Sequence, residues 1–357
     1  MAYVAVSGGE EAIEASIRLL DHYRSGTELD VEIEAIEHKL SLLIDRVMSE
    51  AGLYARTYAA LALKQCEGSV EEAVFLLRAY RSTLTRHYYT TPVDATSMRV
   101  LRRISAAFKD IEGGQMLGAT YDYTHRLMRF DIGTEDAEGM HRASRAELAE
   151  QMPQAVTPYP RVSDVIKREG LIDDCAAADA APFDVTANLL EYPVPRSARL
   201  QALSRADTGF LGGVAYSALR GFGQMHPTVG ELRTGYLELC VPYPFSDAQC
   251  ICIGEILVTE VECFSEADDN RQLKLAVGYG AVFGRNENKA IAMAVVDREL
   301  ELNGPYPAQN EEFVLTHGDS LEMNGFVSHL KLPHYVTFQS KLDAVRRTRR
   351  QPNGSEL

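Results

Sequence analysis

Apolar residues recur at helical spacing over the first ninety residues. Between Val31 and Gly52 they fall at every third or fourth position, which places them on one stripe of a helix. Ser69 and Glu72 have the spacing of a capping box, in which the serine hydroxyl accepts from the third helical N–H, and they predict the start of another helix. Both patterns predict a helical N-terminal part. Packing alone explains them, so they do not indicate a functional site.

The second half of the chain has a mixed pattern. Residues 235–241, 250–263 and 275–283 alternate or are rich in β-branched residues, which predicts strands. Helical patterns cover 207–220, follow Asn286, and run from about Val336 into the basic residues 346–350. Between the halves, residues 131–200 are acidic and then rich in Ala and Pro, with one short helix predicted near 162–169. The predicted class is α+β.

Four regions follow from these patterns. Residues 1–95 form a helical N-terminal domain, and residues 96–130 form a basic, glycine-containing loop and strand segment that joins the core. Residues 131–200 form a variable connecting region, and residues 201–357 form a mixed C-terminal domain.

Composition excludes several classes of protein. The 357 residues carry a formal charge of −15, which argues against broad nucleic-acid binding because that needs a basic surface. No apolar run reaches the roughly 18 residues that a membrane span requires. Six cysteines are too few for a disulfide scaffold in a chain of this length, and the first residues lack a basic signal-peptide region. We expect a cytoplasmic protein without membrane or nucleic-acid partners.

Residues 121–126 place a carboxylate, an imidazole and a guanidinium close together. In an extended segment Tyr121 and His125 face one way, while Asp122 and Arg126 face the other. That second face suits a hydroxylated or phosphorylated ligand, because arginine binds phosphate oxygens in a bidentate fork. Spacing alone favours the alternative, an internal salt bridge between Asp122 and Arg126 beside a buried tyrosine.

A cationic patch precedes this segment. Arg102, Arg103 and Lys109 suit a triphosphate, although such runs are also often solvated faces. The glycine-rich residues 113–118 lack the lysine and Ser/Thr of a P-loop, so a turn with positive φ is the better explanation. His226 precedes a proline in a turn-like context, where a histidine either contacts a ligand or is structural.

Two histidines lie five residues apart near the end of the chain. Residues five apart on a helix point in different directions, and Pro333 disfavours a helix through this pair. A turn would bring the imidazoles of His329 and His334 together, and imidazole is the commonest metal ligand among side chains. Two ligands do not complete a metal site.

Several segments together resemble one family, the PhnI-type subunit of the bacterial carbon–phosphorus lyase core complex. They are residues 3–10, 60–65, 102–111, 113–118, 120–127, 220–227, 278–284 and 312–315, together with the histidine segment 326–335. The resemblance covers most of the chain and fails mainly over residues 131–200.

The resemblance implies a role in phosphonate use. Members of this family act with partner subunits to displace adenine from MgATP by an alkylphosphonate at the ribose C1′ carbon, and alone they resemble nucleosidases that cleave ATP or GTP. It also implies that His329 and His334 hold a zinc ion at the contact with the radical S-adenosylmethionine subunit. Two copies of the chain are expected in the complex.

The roles of the other residues are our hypotheses. Displacement at C1′ passes through an oxocarbenium-like state, which needs a proton donor for the departing base and cations for the triphosphate. We assign the donor to Asp122 or His125. Substrate contacts go to six side chains: Arg102, Arg103, Lys109, Tyr121, Arg126 and His226.

Two readings compete with a catalytic subunit. In the first, the chain is a non-catalytic scaffold that completes a neighbouring subunit's active site. A self-contained zinc hydrolase is disfavoured, because catalytic zinc normally has three protein ligands and the sequence has no His-Glu-x-x-His pattern.

Overall fold

The computed structural model describes residues 9–26, 30–107, 109–110, 113–151, 159–172, 181–223, 226–269, 272–302 and 304–350. Within these ranges the helices are α1 Gly9–Ser25, α2 Ile33–Lys39, α3 Ser41–Ala51, α4 Arg56–Gln65, α5 Val70–Thr83, α6 Ala137–Gln151, α7 Val162–Arg168, α8 Arg196–Arg205, α9 Thr208–Ser217, α10 Glu287–Leu300, α11 Glu311–His317, α12 Ser320–Ser328 and α13 Tyr335–Arg350. The strands are β1 Arg99–Ser105, β2 Thr228–Tyr243, β3 Ser246–Asp269 and β4 Gln272–Phe283.

The N-terminal helices form their own apolar core. This core consists of buried residues of α2 to α5, including Ile44, Met48, Leu63 and Leu77. The single helix expected between Val31 and Gly52 is in fact two, because the backbone leaves helical geometry at Leu40. Gly52 ends α3 in the left-handed conformation, φ 64°, which glycine adopts at no steric cost. Helix α5 starts at the expected serine cap, since the Glu72 N–H donates to Ser69 Oγ.

The four strands pair antiparallel in the order β1-β2-β3-β4. All three segments predicted as strands lie inside β2, β3 and β4. Directly paired residues share a face of the sheet, and Leu232 pairs with Val261. This face is apolar and forms a second core with α8, α9, α10 and α11.

Helix α10 packs directly on β4. Eleven residues of α10 are buried. Two glycines of β4 lie where a larger side chain would collide with the backbone of this helix. A Cβ at Gly280 would lie 2.1 Å from Ala290 O, and one at Gly278 would lie 2.1 Å from Ala294 O. The close approach therefore requires glycine at both positions.

The α+β class is confirmed, with helices first and the sheet in the second half. The short helix expected near 162–169 is α7, and the final helix begins at Tyr335, one residue before its predicted start. The four domain boundaries stay predictions. No helix in the described ranges is both long enough and apolar enough to span a bilayer.

Candidate functional site

The two adjacent arginines of β1 lie on opposite faces of the sheet. Arg102 pairs in register with Thr234, whereas Arg103 pairs with Arg233, and successive strand residues point to opposite sides. Arg102 Nε donates to Glu287 Oε1 of α10 at 2.7 Å. Arg103 Nε donates to Glu231 Oε1 at 2.6 Å on the other face. The predicted cationic patch is thus divided between two environments.

Arg102 gathers part of the predicted site on its side. Its Nη2 donates to Asp122 Oδ2 at 2.6 Å, and its Nη1 donates to the Leu117 carbonyl. Asp122 also lies 3.5 Å from Arg126. We call Arg102, Asp122 and Arg126 the Arg102 group. The ion pair between Asp122 and Arg126 that spacing favoured is therefore present.

The segment that carries Asp122 is a turn. The Thr124 N–H donates to the Tyr121 carbonyl at 3.1 Å, and Arg126 has a φ of 53°. The expected alternation of an extended segment is wrong here, because the turn replaces it. Tyr121 is 69% exposed, so the buried tyrosine of the alternative explanation is also wrong.

Three other predicted residues lie at the surface. Lys109, His125 and His226 are exposed. In the ranges that the structure describes, no hydrogen bond or ion pair ties them to the Arg102 group. They stay predictions as substrate or proton-transfer residues.

The glycine-rich loop is a turn with positive φ, as expected. Gly113, Gly114 and Gly118 have φ values of 99°, 57° and 60°. The Gln115 amide holds the loop on β1, because it accepts from Ser105 N at 2.8 Å and donates to Ser105 O at 2.6 Å. The loop therefore extends the edge of the sheet.

The two C-terminal histidines lie together, as the turn prediction required. Their ring centroids are 5.3 Å apart, with His329 in a 3₁₀ turn after α12 and His334 just before α13. His334 Nδ1 bonds to the Leu332 carbonyl at 2.7 Å, and His329 Nδ1 bonds to the Phe326 carbonyl. A carbonyl only accepts, so each Nδ1 carries the proton in a neutral ring and each Nε2 has the lone pair that ligates metals.

This donor set fits half of a zinc site. Zinc accepts imidazole nitrogen and usually has four ligands. Among the residues that the structure describes, no group of three or more His, Cys, Asp or Glu side chains is arranged to hold a metal.

Helix α12 is anchored by the residue just before its start. Asp319 caps it, accepting from Leu321 N at 2.9 Å and Glu322 N at 3.2 Å. The same carboxylate accepts from Arg78 Nη1 of α5 at 2.6 Å. Large apolar side chains around the histidines are exposed: Phe326, Val327, Leu330, Leu332, Tyr335, Val336 and Phe338.

The sequence analysis missed a charged layer on the Arg103 face. Glu231 and Arg233 of β2 and Glu260 and Glu262 of β3 alternate along their strands and are buried. Arg233 Nη2 donates to Glu260 Oε2 at 2.5 Å. Charges at every second position of a β-rich segment are the signal that would have revealed this layer.

The start of α7 covers these carboxylates. Val162 N donates to Glu231 Oε2 at 2.9 Å, and Ser163 N donates to Glu262 Oε2 at 3.1 Å. Arg161 lies 3.6 Å from Glu260. Burial raises the pKa of Glu262 to about 7, despite the Ser163 hydrogen bonds that oppose the shift.

A cavity of about 800 Å³ lies beside this layer. We call it the Tyr159 cavity. Its lining residues are Asp94, Thr96, Tyr159, Pro160, Arg161, Asp164, Lys167 and Arg168. It combines one aromatic ring with three cationic and two acidic side chains.

Comparison with known proteins decides the family. The family described as "Bacterial phosphonate metabolism protein (PhnI)" matches residues 2–352, which is nearly the whole chain. The chain belongs to the PhnI family.

Two PhnI relatives match over almost their full length. The alpha-D-ribose 1-methylphosphonate 5-triphosphate synthase subunit PhnI of Escherichia coli (strain K12) is 46% identical over 360 residues, 98% of this chain and 99% of the relative. The protein of the same name from Rhizobium meliloti (strain 1021) is 43% identical over 365 residues, 99% of this chain and 96% of the relative. The PhnI match includes residues 131–200, where the resemblance by motifs was weakest.

Proposed function

We propose that this chain is the PhnI-type subunit of a carbon–phosphorus lyase complex, and that it helps to make alkylphosphonate ribose 5-triphosphate. The observation that carries the proposal is the 46% identity to a synthase subunit over 99% of that protein's length. Its substrates are MgATP and an alkylphosphonate. We place it in the cytoplasm, in two copies, beside other core subunits that include the radical S-adenosylmethionine subunit.

The proposed reaction exchanges two bonds at the ribose C1′ carbon. The bond from C1′ to the adenine nitrogen breaks, and its electron pair and a proton leave with adenine. A phosphonate oxygen forms the new bond to C1′. The charge that develops on the sugar and the base needs a proton donor and fixed cations nearby.

We assign these tasks to the Arg102 group and its neighbours. Asp122 or His125 supplies the proton, Arg102, Arg126 and Lys109 hold the triphosphate, and Tyr121 and His226 make further contacts. Arg103 lies on the opposite face of the sheet, so its contact with the same triphosphate stays a prediction from the sequence. The ion pairs of Asp122 with Arg102 at 2.6 Å and with Arg126 at 3.5 Å bring these residues together, and the second of them is also the internal salt bridge of the alternative explanation. ATP or GTP cleavage by the chain alone would follow from the same residues.

We propose that His329 and His334 supply two ligands of a zinc ion shared with the radical S-adenosylmethionine subunit. When bound, zinc supplies a positive charge and a Lewis acid at that contact. The Nδ1 hydrogen bonds to backbone carbonyls fix both rings with Nε2 as the ligating atom. The exposed apolar side chains around the pair suit a subunit contact.

A non-catalytic scaffold is the second candidate, and the same apolar surface favours it. Adenine release separates the two candidates. The reconstituted complex is given MgATP and methylphosphonate, and adenine is measured by chromatography. We expect Asp122→Asn or His125→Ala to lower the rate by about 100-fold. Asp21→Asn, an exposed change on α1, is the matched control.

Wild-type rates in both variants, with an unchanged melting temperature, would remove Asp122 and His125 from the mechanism. If adenine is released only when another subunit is present, and never by this chain alone even at high concentration, the scaffold is favoured.

Metal analysis tests the histidine proposal separately. We expect zinc in the purified complex and only weak zinc binding by the lone chain. His329→Ala or His334→Ala should remove zinc from the complex and slow C–P cleavage more than ATP turnover, whereas His22→Ala on α1 should change neither. Stoichiometric, chelator-resistant zinc in the lone chain would contradict the shared site, and equal loss of both steps would count against separate sites.

A further inference from the structure

We propose that the Tyr159 cavity is a binding site for a nucleoside polyphosphate, distinct from the Arg102 group. The two places lie on different sides of β1, because Arg102 turns toward α10 and Arg103 turns toward Tyr159. The cavity of about 800 Å³ is large enough for a nucleotide, since ligand sites commonly measure about 300–1,000 Å³.

The cavity offers an aromatic surface for a base. The Tyr159 ring lines it and is held from beneath by Arg103, whose guanidinium carbon lies 5.6 Å from the ring centroid. Nucleobases stack on aromatic side chains, because every base has a π-face. A planar heterocycle is therefore the ligand part that this wall recognises.

Gly113 keeps the ring and the arginine in contact. A Cβ at this position would lie 2.5 Å from Arg103 Nη1 and 2.6 Å from Tyr159 Cδ1. Its φ of 99° also favours glycine. Gly113 of the glycine-rich loop thus contributes to this cavity because it has no side chain.

The described lining of the cavity carries one more cation than carboxylate. Three cationic side chains, Arg161, Lys167 and Arg168, line the cavity with two carboxylates. Asp164 is engaged by Arg161 Nε and Nη2, both at 2.9 Å, and Asp94 accepts from Thr96 N at 2.9 Å. Asp164 and Arg161 thus neutralise each other, whereas Asp94 keeps its charge, so the surplus of the wall is about one positive charge in a chain that carries −15 overall. A local cationic wall in an acidic protein suits phosphate oxygens.

The buried layer below adds no strong opposing charge. Glu231 and Glu260 are each paired with an arginine of the same layer, at 2.6 and 2.5 Å. Glu262 is covered by the Ser163 amide and hydroxyl. Arg161 lines the cavity and lies 3.6 Å from Glu260, so a cation stands next to that carboxylate.

The chain has no tryptophan, which gives a site-specific test. Tyr159→Trp keeps an aromatic ring in the wall and adds the single indole of the protein. We expect MgATP to change its fluorescence with saturation, and inorganic tripolyphosphate to compete. Adding Lys167→Glu should weaken both ligands by at least about 10-fold, because it reverses a charge in the wall. Lys341→Glu, the same change on α13, should leave both affinities unchanged.

A second measurement uses the native ring. Lysine acetylation of the unmodified full chain is followed by mass spectrometry with and without MgATP. We expect ATP to slow modification of Lys167 several-fold relative to Lys341. Tripolyphosphate that binds as tightly as ATP would show an anion site without base recognition and would overturn the nucleotide assignment.

The proposal also falls if ATP leaves both the indole fluorescence and the Lys167 acetylation rate unchanged in protein of native thermal stability. Loss of adenine release by the complex would not affect this result, since both readouts report binding in the cavity alone.

Discussion

Replacing Gly280 by alanine tests how closely α10 is seated on the sheet. The added Cβ would lie 2.1 Å from the Ala290 carbonyl oxygen and 3.1 Å from Ala294 N. Non-bonded heavy atoms approach to about 3.5 Å, so the helix has to move by more than about 1 Å. Both contacts are backbone atoms of the helix, which no change of rotamer can relieve.

The energetic cost follows from the burial of the helix. Overpacking a core costs about 1–3 kcal/mol, and more where backbone must shift. Eleven residues of α10 are buried, so a rigid displacement loosens many contacts at once. We expect Gly280→Ala to lower the free energy of unfolding by about 3 kcal/mol or more.

Urea unfolding followed by circular dichroism measures this change. Gly212→Ala is the matched control, because its Cβ would meet nothing within 4 Å in the middle of α9. That control should gain about 0.5–1 kcal/mol from helix propensity. A Gly280→Ala protein within about 0.5 kcal/mol of wild type would refute the close approach. Glu287 at the start of α10 pairs with Arg102, so adenine release should fall together with stability.

Three further predictions concern charged side chains. Burial raises the pKa of Glu262 to about 7. This side chain therefore costs stability as pH rises from its unfolded pKa of 4.5 through 7. Glu262→Gln should gain about 2–3 kcal/mol in the free energy of unfolding relative to wild type between about pH 5 and pH 8, as measured by urea titration. Burial lowers the pKa of Lys289 to about 7. Between pH 7 and pH 10.5 the unfolded state therefore binds one more proton than the folded state, and the stability of the wild type rises over that range. Lys289→Met should raise the free energy of unfolding by about 1–4 kcal/mol near pH 7, and this gain should shrink toward pH 10. Asp319→Ala removes both the α12 cap and the Arg78 partner, and should lower stability by about 3 kcal/mol in thermal scans and weaken zinc retention by the complex. Asp319→Asn keeps the cap and should recover about a third of that loss, which a purely electrostatic anchor would not allow.

Local sequence patterns predicted where helices and strands lie better than they predicted which segments contact each other. Helix α7 and the strands within β2, β3 and β4 follow from spacing alone, because period and capping act over a few residues. The break at Leu40 was missed, since the apolar stripe continues across it. The turn at Tyr121 was missed although its hydrogen bonds are local, from Thr124 N and Oγ1 to the Tyr121 carbonyl and from Asp122 N to Thr120 Oγ1.

The histidine pair and the charged layer show the same limit at the sites. Pro333 was a local signal, so the meeting of His329 and His334 could be foreseen. The division of Arg102 from Arg103 follows from strand alternation, but only once β1 is known to be a strand. Nothing near Tyr159 in the sequence indicated Arg103, because the contact joins segments 56 positions apart across the edge of the sheet.

The bond between Arg78 and Asp319 sets an order of events during synthesis. The two residues are 241 positions apart, so the carboxylate that anchors α12 leaves the ribosome long after the helix that receives it. A chain that stops short of α12 lacks both imidazoles and also Leu321, which packs against the N-terminal core. The placement of the histidine pair is thus tied to a contact between α5 and the start of α12, two helices that lie toward opposite ends of the chain.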